Sequence, residues 1–311
     1  MDYNILGNTG IKVSRLGLGS LTMAKLQRNS SLEEIRNTVA ACKDFGINFI
    51  DGAELYGCYH VLGEFVKANK DAVVASKSYA YTKEGAQKAV EDALRAINRD
   101  YLDVFLMHER EDEWTIRGNY EALEVYEKFK REGKIRAIGI STHKVKCVKD
   151  ALKFPWIDVI HPLINYKGYG IFDGSIEDME NAIKECHQKG IGNYSMKVFG
   201  GGHLLNERKK AVDYILSKDF INSSVVGMAS PMEVAHNVAL FEGRETPEII
   251  APISNKKVQI QYWCEKCLKC ADACPQNAID LIDDKIVVDE EKCVLCGYCG
   301  SACENMCIKL F

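Results

Sequence analysis

Residues 72–108 read AVVASKSYAYTKEGAQKAVEDALRAINRDYLDVFLMH. The stretch opens on a short apolar run, Ala72–Ser76, which predicts a strand. A helical pattern over Thr82–Asn98 follows, opened by Thr82 ahead of Glu84, a plausible N-terminal cap. A second apolar run, Leu102–Met107, predicts another strand. Each strand leads into a polar side chain at its tip, Lys77 and His108. This is one β-α-β unit, and such a unit implies parallel strands joined by a crossover helix.

Working outward in both directions, the same alternation occurs eight times. The other candidate strands are Arg15–Ser20, Asn48–Asp51, Ile135–Ile140, Ile157–Ile160, Gly192–Met196 and Ser223–Val226. Helical segments include Ser31–Phe45, Tyr120–Glu132 and Pro231–Phe241, and several stop at glycine, at Gly46, Gly133 and Gly190. Eight units favour a closed (β/α)8 barrel, the TIM architecture of the α/β class, over an open doubly wound sheet. Ahead of them, Tyr3–Leu6 and Ile11–Ser14 flank Gly7-Asn8-Thr9-Gly10, which reads as a hairpin placed to close the barrel floor. With 311 residues the chain is long enough for a barrel of about 250 residues plus a small module. The stretch Glu242–Lys257 reads as the linker, so the expected domains are 1–250 and 251–311.

Composition narrows the function classes. A formal net charge of −4 argues against general nucleic-acid binding. The start, MDYNILGNTG, has no basic region followed by an apolar stretch, and no run approaches the roughly 20 apolar residues of a membrane span. A cytoplasmic protein is expected. Of 13 cysteines, Cys42, Cys58, Cys147 and Cys186 are scattered, while the other nine fall in residues 264–311. That clustering suggests a reduced compartment and a metal-binding tail rather than a disulfide scaffold.

Cys264, Cys267, Cys270 and Cys274 are spaced C-x2-C-x2-C-x3-C, with Pro275 next, and Cys293, Cys296, Cys299 and Cys303 repeat the spacing 29 residues later. From about Asn255 to Phe311 the tail resembles the bacterial-type ferredoxins, which carry two [4Fe-4S] clusters on a small α+β fold. Zinc also binds thiolates, but the duplicated spacing argues for clusters. In that family the fourth cysteine of each run serves the other cluster. The resemblance therefore implies one cluster on Cys264, Cys267, Cys270 and Cys303, and one on Cys293, Cys296, Cys299 and Cys274. It also implies that Ile279–Asp289 is the connecting hairpin. Glu304 stands where a proline is expected, and Cys307 aligns with Ala278, adding a ninth thiol.

The barrel's chemistry should lie at the C-terminal rim of its strands. Asp51 ends the second barrel strand, Tyr56 follows in Asp-Gly-Ala-Glu-Leu-Tyr-Gly, and Lys77 and His108 tip the next two. Singly, Asp51 is explained as a helix cap, Lys77 as a solvated lysine and His108 as a core histidine. Together, in this order, they resemble the aldo-keto reductase family, as do Val13-Ser14-Arg15-Leu16-Gly17, Gly139-Ile140-Ser141, Gly200-Gly201-Gly202 and Asn237. The likeness runs from about residue 2 to residue 242. It implies reduction of a small-molecule carbonyl by NADH or NADPH. Tyr56 would be the general acid, and Lys77 would lower its pKa, ordinarily about 10. Asp51 would hold Lys77, and His108 would orient the carbonyl.

No Gly-x-Gly-x-x-Gly follows the first strand, so a Rossmann site is not expected. The resemblance instead lays the dinucleotide across the barrel mouth. Ser141 and His161 would face the carboxamide, and Met196 would take the place of the ring-stacking tyrosine, with Tyr194 nearby as an alternative. Gly200, Gly201 and Gly202 suit close approach to a pyrophosphate, and Gly227, Met228 and Ala229 lead into a helix N-terminus that favours anions. Gly227 and Glu233 stand where some relatives carry basic residues for a 2′-phosphate, with Asn237 beyond them. Glutamate repels phosphate but accepts from a ribose hydroxyl, a lean toward NADH. Cys58, Tyr59 and His60 either line the pocket or start a helix, the helix start being favoured; Trp114 reads as a substrate-side loop residue, and Glu109–Glu113 as a solvated charge run.

A nicotinamide gives up a hydride, whereas a [4Fe-4S] cluster exchanges single electrons, and no flavin site links them. The clusters are therefore structural, or serve an external electron-transfer partner or redox sensing, or feed single electrons to something in the barrel. Two functional readings follow: a carbonyl reductase with an appended ferredoxin domain, or an iron–sulfur electron-transfer or redox-sensing protein that uses the barrel as a binding scaffold.

Overall fold

The chain begins with a hairpin, β1 (Tyr3–Ile5) and β2 (Lys12–Ser14), in which Tyr3 pairs with Ser14. In the computed structural model, which describes residues 1–171, 173–247, 258–274, 276–293 and 298–310, this hairpin stoppers the floor of a barrel. Leu6, Ile11 and Val13, all buried, join one apolar cluster with Phe49, Val73, Ala75, Val104, Leu106, Ala137, Val159, Tyr194 and Val225 from the inside of the strands. The expected hairpin and its role are both found.

The barrel strands are β3 (Leu16–Gly19), β4 (Phe49–Asp51), β5 (Val73–Ser78), β6 (Leu102–Met107), β7 (Ile135–Thr142), β8 (Val159–Pro162), β9 (Gly192–Ser195) and β10 (Ser223–Gly227). They pair in parallel in sequence order, and β10 closes on β3 with Val226 opposite Leu18. The helices between them are α1 (Leu32–Asp44), α2 (Tyr59–Ala68), α3 (Lys83–Ile97), α4 (Glu113–Arg117), α5 (Tyr120–Arg131), α6 (Val145–Ala151), α7 (Ile176–Gln188), α8 (Arg208–Leu216) and α9 (Pro231–Phe241). Their apolar faces form a second, larger core against the outside of the strands. Local chemistry sets the ends. Ser31 accepts from the Glu34 N–H while Glu34 returns the bond to Ser31, a complete capping box, and Thr82 accepts from Gly85. No helix among the described residues is long and apolar enough to cross a membrane.

After α9 the expected linker falls largely on residues 248–257, outside the described residues. Beyond it, β11 (Val258–Ile260) pairs antiparallel with β14 (Ile308–Leu310), and β12 (Ile279–Ile282) with β13 (Lys285–Val288), the expected hairpin. Two single-turn helices, α10 (Lys269–Asp272) and α11 (Tyr298–Ser301), complete the module. Its core is small: Cys270, Ile279, Cys299 and Ile308, with half-buried neighbours. The module sits on the C-terminal mouth of the barrel. The Met306 side chain lies against Gly170 and Gly201, and Gln259 donates to the Leu26 carbonyl at 3.2 Å.

Candidate active site

Strands β4, β5 and β6 deliver the rim residues side by side. Lys77 is all but inaccessible and donates to Asp51 Oδ1 at 2.8 Å, to Asp51 Oδ2 at 2.7 Å and to the Gly52 carbonyl at 2.8 Å. Three donors meet three acceptors, which makes burial of the ion pair tolerable. Asp51 also accepts from the Tyr194 hydroxyl at 2.9 Å. Tyr56 sits on the turn Glu54–Tyr56, with its phenol oxygen 3.5 Å from His108 Nε2 and the two rings nearly perpendicular. Tyr79 stacks on the His108 ring, centroids 4.3 Å apart.

The electrostatics depart from expectation at one point. Lys77 was expected to draw down the phenol pKa. Its Nζ lies 5.1 Å from the centroid of the Tyr56 ring, and its hydrogen bonds go to Asp51 and Gly52. Burial, then the charges of Asp51 and Glu109, hold the phenol well above its ordinary value. His108 is driven the other way, down to about 2, by burial first and then by Lys77. It is a neutral imidazole near neutrality, and its Nδ1 has no partner among the described residues.

The expected carboxamide residues sit beside this group. Ser141 Oγ accepts the Glu109 N–H at 2.9 Å, which leaves its hydroxyl proton to donate. His161 Nδ1 lies 2.6 Å from the Tyr194 carbonyl. A carbonyl only accepts, so Nδ1 carries the proton and Nε2 is a free acceptor. Burial holds His161 down at about 4, hence neutral. One donor and one acceptor suit a carboxamide. Met196 is half-buried at the end of β9, whereas Tyr194 points into the barrel against Phe49, His161 and Asp51. Tyr194 is therefore part of the barrel interior and does not offer its ring to a nicotinamide.

Gly200, Gly201 and Gly202 all have positive φ. Gly227 approaches Thr22 so closely that a Cβ there would fall 2.0 Å from the Thr22 hydroxyl. Met228 is buried, and Asn237 is buried with its Oδ1 unpartnered among the described residues. The Glu233 carboxylate folds back to accept the Ala229 N–H at 2.7 Å. The Gly200–Gly202 loop and the unpartnered Asn237 remain available to a dinucleotide, whereas the Ala229 N–H expected to face an anion is already taken by Glu233.

In the small module the charges of Cys264 and Cys303 reach Cys270, though among the described residues no three such side chains converge on a single metal ion. Burial raises the Cys270 thiol, and the nearby Cys303 and Cys264 sulfurs add to the rise. Backbone N–H groups point at the sulfurs: Lys266 to Cys264 at 3.4 Å, Ala278 to Cys274 at 3.3 Å and Cys307 to Cys303 at 3.2 Å. The last two repeat one geometry in the two halves. Sulfurs that accept backbone N–H groups fit an iron–sulfur cluster, whose thiolate ligands are tuned by such bonds. Cys267 is exposed, Cys293 half-buried and Cys299 buried, while Cys296 lies outside the described residues. Cys307 is buried against Cys303, its thiol directed at the Trp263 and Asn305 carbonyls.

Several residues at the mouth carried no sequence signal. Tyr79 looked like loop composition. Glu109 belonged to the charge run read as solvated, yet it takes the Tyr79 hydroxyl bond and stands 3.7 Å from His143 Nε2. Lys197 and Lys309 carry no signal because each stands alone in sequence. Conversely, Trp114 is 73% exposed on α4, and Cys58 and Tyr59 begin α2 as expected.

Comparison with known proteins agrees with this fold. Residues 15–213 match the model of the aldo/keto reductase family, and residues 256–304 match a 4Fe-4S dicluster domain. L-galactose dehydrogenase of Arabidopsis thaliana is 27% identical, the match covering 77% of this chain and 88% of that protein. Methylglyoxal reductase YeaE of Escherichia coli is 32% identical over 42% of this chain and 46% of its own length. A putative aldo-keto reductase from Pseudomonas aeruginosa superposes with a TM-score of 0.67 at 24% identity, covering 78% of this chain and 95% of that one, a likeness of fold. The chain belongs to the aldo/keto reductase family, an oxidoreductase barrel carrying a C-terminal 4Fe-4S dicluster domain.

Proposed function

We propose that the barrel mouth reduces the carbonyl of a small molecule with a nicotinamide dinucleotide, using Tyr56, His108, Lys77 and Asp51. When bound, the dinucleotide supplies a hydride to carbon. Tyr56 donates the proton to oxygen, and neutral His108 orients the carbonyl beside the phenol. The Lys77–Asp51 pair holds the floor on which the phenol ring rests. Ser141 and His161 take the carboxamide, Met196 the ring face, Gly200–Gly202 and the Gly227–Ala229 segment the diphosphate, and Glu233 and Asn237 the adenosine end. Names of relatives that mention L-galactose and methylglyoxal support a small polar substrate. Cys264, Cys267, Cys270 and Cys303 would hold one [4Fe-4S] cluster, and Cys293, Cys296, Cys299 and Cys274 the other.

The observation that carries this reading is the 3.5 Å approach of a protonated phenol, on the turn after β4, to a neutral imidazole at the end of β6. The test is Tyr56→Phe, prepared anaerobically and assayed for NADH and NADPH oxidation with model aldehydes. Loss of one general acid removes about 10²–10⁴-fold in rate. Such a loss in kcat with dinucleotide affinity kept is expected, and full turnover would remove Tyr56 from its role. A second reading, single-electron exchange between the clusters and a compound held in the mouth, is favoured by the seating of the module on that mouth. Reversible cluster reduction without any nicotinamide binding would select it.

A further inference from the structure

Two lysines from different domains meet at the Gly200–Gly202 loop. Lys309, on β14, places its Nζ 2.9 Å from where a Cβ on Gly201 would stand. Met306 Cε reaches the same spot at 2.9 Å, so the absence of a side chain at Gly201 is what lets β14 seat there. Lys197, just after β9, holds a left-handed backbone at φ 59, unusual outside glycine. Burial, then the neighbouring Lys309, pushes Lys197 down to about 7, and burial also lowers Lys309. Among the described residues neither lysine forms an ion pair. The one carboxylate acting on Lys197 is Glu109, whose oxygens face Tyr79 and His143. His203 borders the same space with its Nε2 buried and unpartnered, held down at about 4 by burial and by both lysines, and His143 lies across it, likewise held neutral. Two half-buried ammonium groups, adjacent imidazoles and a glycine loop, with neither ammonium paired to a carboxylate among the described residues and only the Cys303 and Cys307 sulfurs drawing on Lys309, form an arrangement that an anion would relieve.

We propose that the iron–sulfur domain completes a phosphate-class anion site at the domain boundary, in which Lys309 and the barrel's Lys197 grip a diphosphate laid over Gly200–Gly202. Resting on the nicotinamide reading above, the occupant is the diphosphate of the dinucleotide, so the bound cofactor bridges the two domains. The same chemistry would take a phosphorylated substrate, and the experiment separates the two.

The anaerobically prepared full-length holoprotein is titrated with inorganic pyrophosphate, then with NADH and NADPH, following intrinsic fluorescence. The titrations are repeated on Lys309→Gln, Lys197→Gln and the double variant, with cluster absorbance recorded throughout. A bond to a charged group is worth about a tenfold to hundredfold change in affinity. Each single substitution is expected to weaken pyrophosphate and dinucleotide alike by at least about tenfold, and to flatten the salt dependence of binding. Lys197→Gln stands in the barrel, so it reports even if Lys309→Gln disturbs the clusters. Unchanged pyrophosphate affinity in Lys197→Gln, or in Lys309→Gln with intact cluster absorbance, overturns the site, as does a wild-type protein that binds no pyrophosphate. If pyrophosphate binds in a lysine-dependent way and neither dinucleotide does, the anion site stands, its occupant is a phosphorylated substrate, and the nicotinamide reading falls instead.

Discussion

At the residue scale the mouth is governed by how buried polar groups are paired. Lys77 commits all three of its protons to Asp51 and Gly52, so the phenol of Tyr56 feels its burial and the carboxylate more than the ammonium. The four rim residues were legible from their order along the strands, but their mutual charges were not, because those depend on which oxygen each proton faces. The two ring histidines make a measurable consequence. His108 and His161 are each 2% exposed, and burial holds them down at about 2 and about 4, below the unfolded value of about 6.5. A depressed native pKa means that the unfolded chain takes the proton first. The stability these neutral rings contribute is complete above about pH 6.5 and is lost as pH falls toward the native values, at about 1.4 kcal/mol per pH unit for each histidine. Urea unfolding of wild type and His161→Gln at about pH 7 and about pH 5 checks this. The variant is expected to lose roughly half of the acid sensitivity due to the pair, and a slope equal to wild type would mean that the ring is protonated within the fold.

At the element scale, periodicity placed all eight barrel strands and the caps placed several helix ends, but strand ends shifted at the rim. The strand expected over Ala72–Ser76 runs to Ser78, and the one expected over Ile157–Ile160 runs over Val159–Pro162. Polar residues such as Lys77 and His161 read as terminators, yet they keep pairing because their neighbours in the closed sheet supply both partners and burial. Closure also imposes close approaches that no single strand announces. Gly139 on β7 faces Val159 on β8, and a Cβ there would lie 1.7 Å from the Val159 carbonyl oxygen. Both partners are backbone, so neither can rotate aside. Gly139→Ala should cost more than about 4 kcal/mol, seen as a large fall in thermal midpoint or in soluble yield. A midpoint near that of wild type would show that the β7–β8 register can shift.

At the scale of the whole molecule, the cysteine spacing announced a second domain and the strand count announced the first, while their docking was invisible. It rests on Met306 and Lys309 meeting Gly170 and Gly201, pairs more than a hundred residues apart in sequence with no shared motif. The docking matters energetically because the small domain has little core of its own beyond Cys270, Ile279, Cys299 and Ile308. A module of that size depends on its metal for stability. If Lys309 must be docked for the diphosphate to be held, clusters and dinucleotide stabilise the same arrangement, and linkage makes the effect reciprocal. Stripping the clusters with a chelator should weaken NADH binding, and saturating NADH should slow the chelator-driven loss of cluster absorbance by a comparable factor. Both halves must appear together. Cluster loss indifferent to NADH, in a protein whose stripped form binds NADH as tightly as before, would mean that the two domains only touch.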